Sequence, residues 1–334
     1  MRLGPPKRML RCAPQMILRV LEFLNARAAT ILALCLFVGI LLPDLAAAAR
    51  PLLVPAVTFL LASAILRMDW SRLAEPLRRP VSVALLVVLL MVAIPVFAAA
   101  LVAVLPLPDG LKLAIPLFAT APMLVSVTAY ALMLGLDARL ALVLLVATSL
   151  VLPVVQPPLA AWLLGLEIEI GAGALMLRLA LLVGGAFAAA WLVRTLAGTA
   201  AVRRHDSAIG GCGVLVLVLF AFGAVDGLAV ALRDTPAKVA LYMAAAFATN
   251  FGLQALAAAL LVPLERPLGL ARAQTLAAAL AAGNRNFALV IGALAAPTGS
   301  DLFLFFTCVQ FPIYMIPALL GPLYRRGLGK SQAD

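Results

Sequence analysis

Apolar stretches of about 20 residues, the length of one helical bilayer crossing, recur along this chain with short polar breaks between them. Nothing else in the sequence limits the fold so strongly. With 65% hydrophobic residues and 12% charged residues, the pattern predicts an all-α polytopic membrane protein. Ten transmembrane helices are expected, over 28–48, 51–67, 81–104, 111–135, 139–164, 172–194, 208–231, 238–261, 275–296 and 301–323. The longest polar connection, Arg67 to Pro80, is too short for a soluble domain, so function is expected inside the membrane.

The formal charge of +11 would suggest nucleic acid in a soluble protein, but the basic residues fall on alternate loops. With the N-terminus inside, 19 of the 25 lie on the cytoplasmic side, and only Arg50, Lys112, Arg233 and Lys238 lie outside. Arg178 and Arg285 fall within spans. This asymmetry follows the positive-inside rule and requires an even number of crossings, which puts both termini in the cytoplasm and leaves no nucleic-acid partner. Arginine outnumbers lysine 21 to 4, as in proteins of GC-rich bacteria, so the expected location is a bacterial inner membrane. The basic residues before the first apolar run resemble a signal peptide, but no convincing cleavage site follows, and a retained helix is expected. Residues 16–24 are read as an amphipathic lead-in at the membrane surface.

Ten spans divide into two five-helix repeats, 28–164 and 172–323, flanked by a basic segment at 1–27 and a cytoplasmic tail at 324–334. An odd number of spans per half makes the second half enter from the opposite side, as inverted repeats do. The fourth and ninth spans then occupy equivalent places, and both carry polar breaks. Pro122 removes a backbone donor in one, and Gly283 lowers the cost of unwinding in the other. Matched interruptions of this kind point to a transporter's binding site. Arg285 sits near the middle of the ninth span, where insertion costs roughly 2.5–3.5 kcal/mol, so some compensating role is expected. A solute pathway is one such role; hydrogen bonding to carbonyls freed by the breaks is another.

The candidate substrate-binding residues are Arg285, Asn286, Asn284, Thr128, Ser126 and Asn250, with Pro122 and Gly283 as helix-break residues. Hydroxyls in membrane helices often only bond a nearby carbonyl. Thr148, Ser149 and Gln310 are weaker candidates. Asp226 lies near the outer end of its span, and His205 belongs to a basic cytoplasmic loop, so neither is an obvious proton carrier. Cys12, Cys35, Cys212 and Cys308 are scattered, which predicts neither a disulfide framework nor a metal site, and no cofactor is expected. No nucleophile, metal cluster or carboxylate pair lies at depth, which argues against an intramembrane enzyme. An ion channel would show a filter or a charged ring formed by oligomer symmetry, and internal two-fold organisation is not that.

Through the segments 121–137, 147–153, 249–252, 269–274 and 281–286, the chain from the second span to the tenth resembles the bile acid:sodium symporter superfamily. Ala121-Pro-Met-Leu-Val-Ser-Val-Thr128 and the residues to Asp137 align with the family's Pro-Gly-Gly-Thr-Ala-Ser-Asn region, and Ala147-Thr-Ser-Leu-Val-Leu-Pro153 with the stretch that follows it. Thr249-Asn-Phe-Gly252, Gly269-Leu-Ala-Arg-Ala-Gln274 and Ala281-Ala-Gly-Asn-Arg-Asn286 add to the likeness; the last stands where the family has Glu-Thr-Gly-Ile-Gln-Asn. The resemblance implies a panel bundle (spans 1, 2, 6 and 7) and a core bundle (spans 3–5 and 8–10), with the broken fourth and ninth helices crossing at the midplane.

The family's sodium ligands are mostly replaced. Its glutamate falls on Ala281, its glutamine on Arg285, its serine-asparagine pair on Val127 and Thr128, its fifth-span hydroxyls on Ala141 and Leu145, and its third-span glutamine on Leu90. Hard cations take oxygen ligands, and alanine, leucine and guanidinium supply none, so sodium is a doubtful partner. The resemblance and its departures together suggest a secondary transporter of a small organic anion, sodium-independent, with Arg285 as a built-in cation. The alternatives are sodium coupling through non-standard ligands, an arsenite-type exporter, or a non-transporting sensor. The arsenite exporters resemble one another in a cysteine in the broken fourth helix, and none occurs here between Pro116 and Gly135.

Overall fold

A computed structural model describes residues 28–70, 78–164, 171–294 and 300–328, together with Arg19 and Pro76. The surface lead-in expected over 16–24 lies, apart from Arg19, outside the described residues, as do most of the basic segment and the end of the tail.

Among the described residues the regular structure is helical, apart from one isolated antiparallel bridge. The helices are α1 (Ala28–Leu41), α2 (Pro43–Arg67), α3 (Pro80–Val104), α4 (Asp109–Thr120), α5 (Val127–Met133), α6 (Ala138–Leu164) and α7 (Ala172–Ala197). After a short turn of helix at Thr199–Arg204 come α8 (Asp206–Asp234), α9 (Pro236–Leu268), α10 (Arg272–Gly283), α11 (Phe287–Leu294), α12 (Asp301–Leu319) and α13 (Gly321–Leu328).

Six of these, α2, α3, α6, α7, α8 and α9, are long and apolar enough to cross a membrane, and α12 with α13, bent by 52°, makes a seventh. The exterior fits that reading. Val104, Leu196 and Leu41 are 79, 79 and 77% exposed, and a surface this apolar belongs in lipid rather than water. These features support a multi-pass membrane protein.

The first break differs from the expected one. It falls at Leu42–Pro43, where Leu42 leaves helical geometry and Pro43 opens the next helix, and not between Ala48 and Pro51. Pro51 sits in a 3₁₀ turn, Arg50–Leu52, through which α2 continues. Arg50 does not force an exit because it is neutralised in place: Nη1 lies 3.4 Å from Asp226 Oδ2, and the guanidinium stands 4.3 Å from the centroid of Phe303.

The charged ends sort into two sets. Arg67 pairs with Asp206 at 2.7 Å, Arg203 with Asp69 at 3.3 Å, and Arg194 donates to the Met68 carbonyl, all at one end of the bundle. Lys238 pairs with Asp301 at the other end, which also holds Arg50 and Asp226. This is the partition of charge read from the loops.

The contacts fall into two groups. Helix α2 packs on α7 and α8, and α8 on α1. Helix α9 packs on α10 and α12, α4 on α3 and α12, and α6 on α4, α5 and α10. Helix α6 leans on α7 across the groups, and α11 rests on both α2 and α7.

Candidate functional site: two broken helices joined through Arg285

The helix α4 cannot run on past Thr120, because proline at 122 disfavours helical geometry in the residue before it. Ala121 is accordingly extended, at φ −65° and ψ 153°. Helix α10 stops at Gly283, and Asn284 turns out at φ −110° and ψ 87°. Each break exposes backbone groups that lipid cannot satisfy. They satisfy each other. Leu124 N–H donates to the Asn284 carbonyl at 2.9 Å, and Asn286 N–H donates to the Pro122 carbonyl at 2.7 Å. Met123 and Arg285 thus face one another across a short antiparallel bridge in the interior of the helical bundle.

Arg285 completes the junction. It is 1% exposed, and among the described residues it bonds only to backbone oxygens. Nε donates to the Ala282 carbonyl at 2.8 Å, Nη1 to the Ala121 carbonyl at 3.2 Å, and Nη2 to the Leu90 carbonyl at 2.8 Å. The first two acceptors are carbonyls at the two breaks. The third is on α3, and local sequence frees it. Residues Leu89–Ala93 form a π turn in which Ile94 N–H bonds the Leu89 carbonyl, five residues back. In the same pattern the donor to Leu90 would be residue 95, which is proline.

Energetics favour this use of the charge. Hydrogen bonds to charged groups contribute about 1.5–3 kcal/mol each, so three of them offset the roughly 2.5–3.5 kcal/mol insertion cost of a central arginine. The five donors of a guanidinium lie in one plane, which suits it to three carbonyls from three segments. An ammonium is a compact point charge on a flexible stem and is less suited.

The surrounding side chains hold the junction from α9. Asn250 is fully buried, and its Nδ2 donates to the Gly283 carbonyl and, at 3.5 Å, to Asn284 Oδ1. Gln254, one turn on, donates from Nε2 to Asn250 Oδ1 at 2.7 Å and accepts from Tyr324 Oη on α13, also at 2.7 Å. Asn284 Nδ2 donates to the Leu280 carbonyl at 2.7 Å. A buried chain of hydrogen bonds therefore runs from α13 to the α10 break.

Gly283 stands at the break, as expected, and also lets another helix come close. It is the last residue of α10, and a Cβ there would lie 2.0 Å from the Asn250 carbonyl oxygen and 2.7 Å from Gln254 Cγ. Small size, allowing α9 to approach, is what the position requires. On the other side, Phe118, Phe287 and Phe305 meet edge to face, with centroids 5.6, 5.9 and 6.4 Å apart, and pack the broken helices against α12.

The candidate residues divide by how much bonding capacity they retain. Asn250, Asn284 and Arg285 are buried and occupied by protein partners. Among the described residues, Asn286 Oδ1 is buried with no hydrogen-bond partner, and Ser126 Oγ, within reach of Tyr130, makes no well-formed bond. Thr128, partly exposed, donates to the Val125 carbonyl at 2.9 Å. Among the weaker candidates, Thr148 accepts from Met123 N–H at 3.1 Å and so supports the break, and Gln310 bonds the Phe306 carbonyl. Ser149 Oγ has no partner among the described residues. His205 is exposed and bonds the Ala201 carbonyl. No group of three or more His, Cys, Asp or Glu side chains suited to a metal ion occurs among the described residues.

Pro95, Gln254 and Tyr324 were not expected at this site, and Leu90, which the resemblance sets at a sodium-ligand position, enters through its carbonyl and not its side chain. Gln254 had a visible signal, since Asn250 and Gln254 put two amides one turn apart on an apolar helix. Leu90 was marked by the alignment alone, and nothing in the sequence showed that its carbonyl would be the acceptor. No family model matches the chain, and no curated protein matches it in sequence.

Proposed function

We propose that the chain is a secondary membrane transporter of a small organic anion, working by alternating access and without sodium. The observation that carries this reading is the position of Arg285, a buried cation bonded to three backbone carbonyls where two broken helices meet. Broken helices paired within the bundle are how transporters line a central site with backbone. The grouping of α1, α2, α7 and α8 apart from α3–α6 and α9–α12 fits a panel bundle and a core bundle. On that reading α4 with α5, and α10 with α11, are the fourth and ninth of ten crossings arranged as inverted repeats, with both termini cytoplasmic. The likeness to the bile acid:sodium symporter superfamily has the same implications.

Sodium independence follows from occupancy of the oxygens. Three carbonyls at the crossing already accept from the guanidinium, and Ala281, Ala141, Leu145 and Leu90 bring no oxygen in their side chains. A fixed positive charge does there what a bound cation would do, holding the crossing together and favouring an anion nearby. Direct contact with substrate falls to Asn286, Ser126 and Thr128, which keep unused or rearrangeable hydrogen-bonding capacity. The test is uptake of a mixture of small organic anions into proteoliposomes, with sodium or with choline, by the wild type and by Arg285→Ala. Uptake that ignores sodium and is lost in a folded Arg285→Ala protein is expected. Uptake that requires sodium would overturn the built-in cation, and absence of flux for every anion would favour a sensor.

A further inference from the structure

At the arginine-rich end of the bundle, a cavity of about 320 Å³ opens between the start of α3, the start of α6 and the connection from α9 to α10. Its lining includes Arg78, Arg79, Ser82, Leu86, Leu140 and Gln274. The polar groups other than the arginines are already used. Ser82 Oγ donates to the Leu268 carbonyl at 2.8 Å. Gln274 donates from Nε2 to Asp137 and accepts at Oε1 from Ala271 N–H. The nearby carboxylates are used too: Asp137 also accepts from the N–H groups of Arg139 and Leu140, and Glu265 pairs with Arg272 at 3.2 Å.

Arg78 and Arg79 are different. Both are exposed, and among the described residues neither forms an ion pair. Arg79 is seated by the turn beneath it. Gly269 adopts φ +61°, which favours glycine, and a Cβ there would lie 2.5 Å from Arg79 Nη1, so the guanidinium lies close over this connection. The deeper wall is apolar, formed by Val83, Leu86 and Leu140. Leu86 lies one helical turn, roughly 6 Å along the axis, from Leu90, whose carbonyl Arg285 holds.

We propose that this cavity binds an amphipathic oxyanion, with a phosphate or carboxylate head between Arg78 and Arg79 and an apolar portion against Val83, Leu86 and Leu140. The volume lies at the small end of ligand pockets, too large for a bare inorganic ion and suited to a short-chain organic anion or to the phosphate region of a lipid. Guanidinium forks match such heads in geometry as well as charge, and basic pockets between helices at this end of membrane proteins take anionic headgroups. The site does not depend on transport, and it stands if the chain moves no solute.

The test is calorimetric titration of the whole protein, in an uncharged detergent, with hexyl phosphate and with hexanoate. Arg78→Gln combined with Arg79→Gln is compared with Arg325→Gln combined with Arg326→Gln, which removes the same charge outside the cavity. Arg78 and Arg79 are exposed, so both double variants are expected to unfold at the wild-type temperature. Loss of charge-assisted bonds at the head weakens binding by about tenfold or more in the cavity variant, and the control binds as the wild type does. Failure of the wild type to bind either probe overturns the proposal, and so does equal weakening in both variants. The source is distinguished in phosphatidylcholine nanodiscs with and without phosphatidylglycerol, read by native mass spectrometry. Phosphatidylglycerol retained by the wild type, lost in the cavity variant and displaced by hexyl phosphate identifies a lipid headgroup. Hexyl phosphate binding with no retained phosphatidylglycerol identifies a soluble anion.

Discussion

Arg285 and Leu90 are 195 residues apart in sequence, and the side chain of one donates to the main-chain oxygen of the other at 2.8 Å. The bond ties the α10–α11 break to a helix that is not itself broken. The junction therefore has three members, α3 and the two interrupted helices, and Arg285 is the one side chain among those described here that bonds to all three.

Replacing Arg285 by methionine keeps an unbranched stem and removes every donor. Buried acceptors left unpaired cost about 1–3 kcal/mol each, so three of them lower the thermal midpoint in detergent by an easily measured amount. Lysine keeps the charge but cannot present three coplanar donors to three carbonyls. The expected order of midpoints is wild type, then Arg285→Lys, then Arg285→Met. Equal midpoints for all three would show that the carbonyls find other donors.

Gly283→Ala puts a methyl group into the Asn250 main chain, 2.0 Å from its carbonyl oxygen. Overpacking a filled interior costs typically 1–3 kcal/mol, and here the obstacle is backbone, which yields less readily than a side chain. We expect a loss toward the upper end of that range, measured by denaturation in detergent. Gly252, whose Cβ would meet nothing within 4 Å on the same helix as Asn250, is the matched control.

Tyr324→Phe deletes one hydroxyl at the far end of the hydrogen-bonded chain from α13 to the break. Gln254 Oε1 then loses its donor in a buried setting, at a cost of about 1–3 kcal/mol. If the chain is continuous, Asn250→Leu and Tyr324→Phe combine for less than the sum of their separate losses. Strict additivity of the two would show that Gln254 does not couple them.

Much of this arrangement was legible in the sequence because it rests on local rules. Pro122 before a polar stretch marks one break, and Asn284-Arg-Asn286 in an apolar run marks the other. That the breaks meet is what the family resemblance implied, and the Met123–Arg285 bridge joins them. What stayed hidden depends on backbone. The Leu90 acceptor is a carbonyl that any residue would supply, and its availability depends on a π turn with Pro95 placed after it. Gly283 was legible as a break residue, and its second role, as a contact residue, needs the position of α9. The first helix break was misplaced because Arg50 looked exposed and is instead paired with Asp226.

A cation that binds the folded protein raises its unfolding temperature by mass action. With the crossing carbonyls occupied by Arg285, exchanging sodium for choline at constant ionic strength should leave the thermal midpoint unchanged. A rise with sodium concentration that saturates would reveal an ion site elsewhere in the bundle and would argue for coupling.

Pro95 supplies the most discriminating test of the junction, because it lies outside both breaks and acts only by what it lacks. Pro95→Ala restores an N–H that can donate to the Leu90 carbonyl in the π pattern, or to Met91 if α3 relaxes to regular α-helix. Either change competes with Arg285 Nη2 for its acceptor or moves that acceptor. Alanine also favours a helix interior by about 3 kcal/mol over proline in a simple host, so an isolated reading predicts a more stable protein. The junction predicts a smaller gain, because the third guanidinium bond is weakened at the same time. A double-mutant cycle with Arg285→Met separates the two. If the bond to Leu90 matters, Pro95→Ala stabilises the Arg285→Met protein more than the wild type, with a coupling of about 0.5–3 kcal/mol as found for residues in one network. Zero coupling would mean that the π turn serves α3 alone and that the reach of Arg285 across to it carries no stability.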